Sequence, residues 1–207
     1  MRAQDPRAGT LRKSDLSADP FEQFAAWLAD AEAAGIELPE ATTLATATRD
    51  GKPSARMVLL KEHGPEGFVF FSGYESRKGR ELEENPRAAL VFYWHELGRQ
   101  VRVEGTVERL AREESEAYFR TRPPGSRLGA WASPQSEVVP SRETLDALYD
   151  KAAAAYGDGE VPLPESWGGY RLRAQSIELW QHRPDRLHDR LRYRLDDEVW
   201  VVERLAP

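Results

Sequence analysis

The sequence contains no cysteine, which excludes disulfides, thiolate metal sites and thiol nucleophiles. It has no apolar run near the roughly 20 residues that span a bilayer. Its first nineteen residues are polar and lack the apolar stretch of a secretory signal, so a cytoplasmic protein with no membrane partner is expected. Positive charge is not in surplus: the net charge of −6 argues against a nucleic-acid partner. The glycine patterns of Rossmann and P-loop sites are absent. His63, His95 and His182 do not have metal-ligand spacing, and no metal site is expected. No Ser-His-Asp arrangement or hydrolytic carboxylate pair stands out, and there is no internal repeat.

What is present fits one domain of 207 residues, 40% of them hydrophobic. The 29 basic residues are mostly arginine and they cluster. Arginine suits bidentate recognition of phosphate and carboxylate. Local arginine clusters in a mildly acidic chain point to small anionic ligands.

Residues 1–17 are rich in charge, Pro, Gly and Ser, and read as a flexible N-terminal arm. Asp19-Pro20-Phe21-Glu22 opens a helix with a cap, a first-turn proline and a capping-box glutamate; Gly35 stops it. Strands are expected over 41–48, Ser54–Lys61, Phe68–Phe71, Ala88–Trp94, Gln100–Leu110, Tyr170–Gln181, Arg190–Leu195 and Glu198–Arg204. Helices are expected from Ser76 to Asn85, over 112–120 and over Thr144–Tyr156. Arg122–Pro140 reads as a long ordered loop, and His63 as a solvated turn residue. Short strands at hairpin spacing with inserted helices imply a mainly β fold, a small antiparallel barrel with peripheral helices.

Four clusters carry candidate chemistry. In Arg56-Met57-Val58-Leu59-Leu60-Lys61, two cations bracket an apolar strand and alternate to opposite faces; an edge strand with solvated charges is the plainer alternative. In Ser76-Arg77-Lys78-Gly79, two cations occupy the first turn of a helix. The helix dipole disfavours each by about 0.3–1 kcal/mol, unless an anion binds there. Tyr118, Arg122 and Ser126 set two hydroxyls and a guanidinium across a helix end, a set able to grip a phosphate or simply to cap and solvate the turn. Beyond it, Trp131 reads as core and Gln135 as solvated. In Trp180 with Arg186-Leu187-His188-Asp189-Arg190, alternation places Arg186, His188 and Arg190 on one face, where their repulsion calls for an anionic partner.

In order and spacing, these segments resemble the pyridoxine/pyridoxamine 5′-phosphate oxidase family from about Leu11 to Pro207. The resemblance also runs through Asn85-Pro86-Arg87, Arg99-Gln100-Val101, Gly129-Ala130-Trp131, Gln135-Ser136, Pro162-Leu163-Pro164 and Trp167-Gly168-Gly169-Tyr170. It implies an FMN-binding split β-barrel over 18–207, homodimeric through its C-terminal strands, with FMN between the subunits. FMN contacts are implied for Arg56, Met57, Val58, Leu59, Leu60, Lys61, Phe71, Ser72, Arg77, Lys78, Gln100, Gln135, Ser136, Trp180 and Arg190. Lys61, Tyr118, Arg122 and Ser126 are implied to hold the substrate phosphate. Arg186 and His188 are implied to lie over the substrate ring as the catalytic pair.

The implied reaction oxidises pyridoxamine or pyridoxine 5′-phosphate to pyridoxal 5′-phosphate. A hydride passes from C4′ to the flavin, which dioxygen reoxidises to give hydrogen peroxide. One departure stands out: family members often carry an Arg-x-x-Tyr element in the N-terminal arm, and Ala3–Pro6 has none. Alternatives are a phenazine-type flavin oxidase, a deazaflavin reductase on the same barrel, and a flavin or B6 binding protein without turnover. The first tends to lose the lysine and the Tyr/Arg/Ser grip that this sequence keeps.

Overall fold

The computed structural model describes residues 9–157 and 159–207. Helix α1 (Pro20–Ala33) follows the capping logic of its sequence. The Asp19 side chain accepts from the Phe21 N–H and Pro20 occupies the first turn. Strands β1 (Ala41–Ala47), β2 (Pro53–Leu59), β3 (Glu62–Gly64) and β4 (Gly67–Gly73) come next, then α2 (Arg77–Glu84). Strands β5 (Arg87–Trp94) and β6 (Arg99–Arg109) lead to helices α3 (Arg112–Thr121), α4 (Pro124–Ala132) and α5 (Arg142–Tyr156). Strands β7 (Trp167–Gln181), β8 (Asp189–Asp196) and β9 (Val199–Arg204) complete the chain.

The nine strands form one antiparallel sheet in the order β2-β1-β5-β6-β7-β4-β3, with β8 on β7 and β9 on β8. β7 pairs with β6 along its length, with β4 over its first half and with β8 over its second. The sheet divides at a bulge opposite Glu104/Gly105. Before the bulge Tyr170, Leu172 and Ala174 point inward; after it Ile177 and Leu179 do. The extra residue switches the parity of the strand and keeps apolar side chains on the core face. Gly105 is required there, because a Cβ would collide with the Arg173 carbonyl. The curled sheet is the split antiparallel barrel expected.

Phe24 of α1 is fully buried, with its ring 4.9 Å from Phe68 and 5.0 Å from Phe92. Truncating such a side chain costs about 3–5 kcal/mol. A second cluster of Phe119, Val161 and Leu163, with Leu128, Tyr156 and Trp167 against it, fastens α3 and α4 to the sheet.

Three expectations need correction. Arg122–Pro140 is not all loop: Pro124 starts α4, whose Leu128 and Ala130 pack on the second cluster. Its glycines and prolines hid the helix, although proline suits a first turn. His63 lies on β3, its ring edge 5.1 Å from Phe24, rather than in a turn. Residues 9–17 of the expected arm are docked: Leu11 is buried and its N–H donates to Asp189, while Lys13 donates to the Val202 carbonyl. The Ala3–Pro6 stretch lies outside the described residues.

Candidate active site

The first part of the site forms where α2 meets β1, β2 and β4. Ser76 caps α2, accepting from the Gly79 N–H. Gly79 lets the helix start against the Gly73–Tyr74 backbone, which a Cβ would strike. Lys78 is only 6% exposed, and its Nζ donates to Ser72 Oγ at 2.9 Å and Ser76 Oγ at 3.2 Å. Burial, reinforced by Arg56, pushes its pKa down to about 8 against the pull of Glu81. Arg77 turns away to Glu81 at 2.8 Å and is half exposed.

Arg56 points inward from β2 and donates to Thr46 Oγ1 at 2.6 Å, to Ser54 Oγ, and to Glu81 at 3.2 Å. Glu81 is the hub of this cluster and 3% exposed. It also accepts from Thr46 and Ser54, each at 2.5 Å. Burial raises its pKa, but hydrogen bonds from Ser54, Thr46, Arg77 and Arg56 outweigh that and bring it down to about 2. Sequence reasoning missed Glu81. The available signal was its i,i+4 spacing from Arg77.

Beside this cluster the Phe71 and Tyr118 rings stack at 3.8 Å, and Trp167 lies nearly parallel, 5.5 Å from Phe71. The Arg122 guanidinium sits 4.5 Å over Trp167. Its Nη1 is buried and has no hydrogen-bond partner. Burial lowers the Arg122 pKa and raises that of Tyr118, each opposed by the other. A cavity of about 290 Å³ joins these groups: Arg56, Lys61, Ser72, Lys78, Tyr118 and Arg122 all line it. Met57 and Leu59 point outward at its rim, with Val58 between them pointing in. Leu60 is buried in the core, which removes its side chain from the expected flavin contacts.

Gln135 reaches into the cavity wall, its Oε1 accepting from Ser72 and from the Gly73 N–H at 3.1 Å. Ser136 is exposed at positive φ, outside that lining. Ser126, on α4, lines a neighbouring cavity of about 850 Å³ that shares Arg122, Gln135 and Trp167 with the first. Trp167, unassigned in the sequence reading, is therefore a wall of both.

The second part of the site is built differently from its expectation. Strand β8 starts at Asp189, so alternation does not govern Arg186 and His188. They lie on a turn in which Asp185 (φ 58°) and Arg186 (φ 63°) are both left-handed. Arg190 is on the strand, held by Glu178 at 2.7 Å and the Ala206 carbonyl at 2.9 Å. The His188 ring lies 4.6 Å from Trp180 and 5.2 Å from His182. Burial, then His182 and Arg186, hold its pKa below the ordinary value. Tyr93, Gln100, Trp180 and Arg190 are register neighbours across β5, β6, β7 and β8.

One chain does not bring the two parts together. Trp167 and Trp180 stand at opposite ends of β7, thirteen residue steps or about 40 Å apart along an extended strand. No group of three or more His, Asp or Glu able to hold a metal occurs among the described residues.

The family model described as pyridoxamine 5′-phosphate oxidase matches residues 28–153. The chain belongs to the pyridoxine/pyridoxamine 5′-phosphate oxidase family. A second model, the pyridoxine 5′-phosphate oxidase C-terminal dimerisation region, matches residues 167–207. A pyridoxine/pyridoxamine 5′-phosphate oxidase of Salinibacter ruber is 56% identical, covering 99% of this chain and 96% of the relative. The protein of that name from Thermosynechococcus vestitus is 55% identical over the same shares. Among solved structures, PhzG from Burkholderia lata, in complex with tetrahydrophenazine-1-carboxylic acid, superposes with a TM-score of 0.91 at 33% identity. It covers 97% of this chain and all of its own.

Proposed function

We propose that the chain is an FMN-dependent oxidase that converts pyridoxamine 5′-phosphate, pyridoxine 5′-phosphate or both to pyridoxal 5′-phosphate. The observation that carries the reading is Arg122 Nη1, a buried cationic donor with no partner, in a cavity that also holds Lys61 and Tyr118. A buried cationic donor without a partner, facing a cavity, suits an anionic ligand such as a phosphate. Lys78 and Arg56 put a second positive charge cluster in the same space, beside the Ser72 and Gln135 side chains, suited to the phosphate of FMN. Two separate anion grips fit two phosphorylated molecules side by side. FMN held there would supply the acceptor for a hydride from substrate C4′, with dioxygen as the terminal oxidant reduced to hydrogen peroxide.

The protein's own part is placement. Arg122, Tyr118 and Lys61 hold the substrate phosphate, and the Phe71–Tyr118–Trp167 slab shields that end from water. Arg186 and His188 orient the ring and its polar substituents. Fixing both ends makes the transfer effectively intramolecular.

Because the two parts lie far apart on one chain, the reading includes a homodimer in which Trp180, Arg186, His188 and Arg190 come from the second subunit. The outward face of β2, β5 and β6 supports this, with Met57 61% and Tyr93 55% exposed beside Gln100. A cytoplasmic location accompanies the proposal. Among the described residues no helix is long and apolar enough to cross a membrane.

The second reading, a phenazine-type oxidase, is favoured by the match to PhzG. The retained Lys61, Tyr118, Arg122 and Ser126 weigh against it. Pyridoxamine 5′-phosphate added to the yellow, flavin-loaded protein should yield pyridoxal 5′-phosphate and peroxide in equal amounts. A protein with flavin absorbance that releases no peroxide overturns the proposal.

A further inference from the structure

His188 is hydrogen-bonded by Arg183, a residue that the motif reading does not single out. The Arg183 backbone N–H donates to His188 Nδ1 at 3.1 Å. An amide N–H can only donate, so Nδ1 must be the acceptor and a neutral His188 carries its hydrogen on Nε2. The fixed tautomer leaves Nε2–H as the donating edge.

The Arg183 side chain is tied elsewhere. Its Nη1 donates to Thr10 Oγ1 at 2.6 Å and to the Gly9 carbonyl at 3.2 Å, and its Nε lies 3.8 Å from Asp189. The same strap of residues is held twice more. The Gly9 N–H donates to the His182 carbonyl at 3.3 Å, and the Leu11 N–H donates to Asp189 at 3.1 Å. Arg204 closes the set, donating to Asp189 at 2.5 Å and to the Leu11 carbonyl at 2.9 Å. Between these anchors runs the turn in which Asp185 and Arg186 are consecutively left-handed. That conformation is unfavourable for residues with a Cβ and persists only where the surroundings determine it.

We propose that Arg183 is a positioning residue for His188 and Arg186, and that the docked strap of residues 9–11 is the anchor through which it acts. The clamp links the N-terminal strap to the ring end of the site without the Arg-x-x-Tyr pair. Its importance for turnover rests on the proposed oxidase reading; its existence does not.

The test uses full-length, flavin-loaded protein labelled with ¹⁵N-histidine, His188 being assigned with H188N. In the wild type, two-bond ¹⁵N–¹H correlations should report the Nε2–H tautomer for His188. Arg183→Ala, at a side chain 39% exposed, should keep its flavin and melting temperature. It should nevertheless shift His188 toward mixed tautomers and speed amide exchange over residues 183–188 about tenfold. Arg183→Lys should restore part of the wild-type signature. Thr10→Ala, an exposed change 173 residues away, should reproduce part of the effect and add little to Arg183→Ala.

Wild-type histidine signals and exchange in R183A overturn the proposal, as do fully additive effects of the two changes. Both readouts are independent of catalysis. If the wild-type protein fails to oxidise pyridoxamine 5′-phosphate, the oxidase reading falls while the spectra still decide the clamp. If both stand, R183A should lower turnover more than it changes the KM for substrate.

Discussion

Replacing Glu81 with glutamine tests the electrostatic design of the anion site quantitatively. A carboxyl whose pKa drops on folding adds stability above its unfolded value and loses it as pH falls toward the folded value. For Glu81 the drop is from 4.5 to about 2. At about 1.4 kcal/mol per pH unit, the ionised carboxylate contributes about 3 kcal/mol at pH 7. Glu81→Gln keeps the shape but removes the charge, and it points an amide N–H₂ at donors from Thr46, Ser54, Arg56 and Arg77. Urea unfolding of the flavin-free proteins should show the variant about 3 kcal/mol less stable at pH 7. The gap should narrow to roughly half by pH 3, where the carboxyl of the unfolded chain is protonated while the folded Glu81 stays largely ionised. Comparing the two proteins cancels the titration of other carboxylates, including Asp189 and Glu203. A gap that stays constant from pH 7 to pH 3 would refute the assignment of Glu81 as an ionised hub.

The remaining predictions concern binding and turnover. Lys78 has a pKa of about 8 without ligand, and an anion needs its protonated form. FMN affinity should therefore weaken about twofold from pH 7 to 8 and then fall by up to about tenfold per pH unit, in a fluorescence titration. Lys78→Met should bind more weakly with a flatter profile, and an unchanged profile would contradict the role. Arg122→Ala should raise the KM for pyridoxamine 5′-phosphate about 10- to 150-fold, as expected for losing a charged hydrogen bond. Its activity on unphosphorylated pyridoxamine should be unchanged, and loss of both activities would point to structural damage instead. Arg186→Ala should cut turnover far more than FMN retention, measured from absorbance after gel filtration; equal losses would remove its ring-positioning role.

The fold was largely legible because its signals are local. Alternation in β1, β5 and β6, the Asp19-Pro20 cap and the turn glycines each act within a few residues. Helix α4 was hidden because its composition imitates a loop and its stability comes from packing on Phe119, Val161 and Leu163. In the site, the arginine clusters marked where anions belong, since like charges crowd only where something compensates them. Glu81 was missed for the converse reason: its i,i+4 spacing from Arg77 marks an ordinary helical pair until Thr46, Ser54 and Arg56 are folded around it. Alternation also failed at Arg186 and His188, because two left-handed residues interrupt the strand pattern just before β8. Residues 9–17 read as an arm by composition; their anchors, Arg183, Asp189 and Arg204, are more than 170 positions away in sequence.

The long strand β7 carries a consequence for genetics as well as geometry. Its first residue, Trp167, belongs with Arg122, and Trp180 belongs with His188. In the proposed dimer each reaction centre then takes Arg122 from one chain and His188 from the other. A chain altered at Arg122 and a chain altered at His188, each impaired alone at low pyridoxamine 5′-phosphate, would complement one another. Every mixed dimer would concentrate both lesions in one centre and leave the other whole. Random pairing of equal amounts would return about a quarter of the wild-type activity.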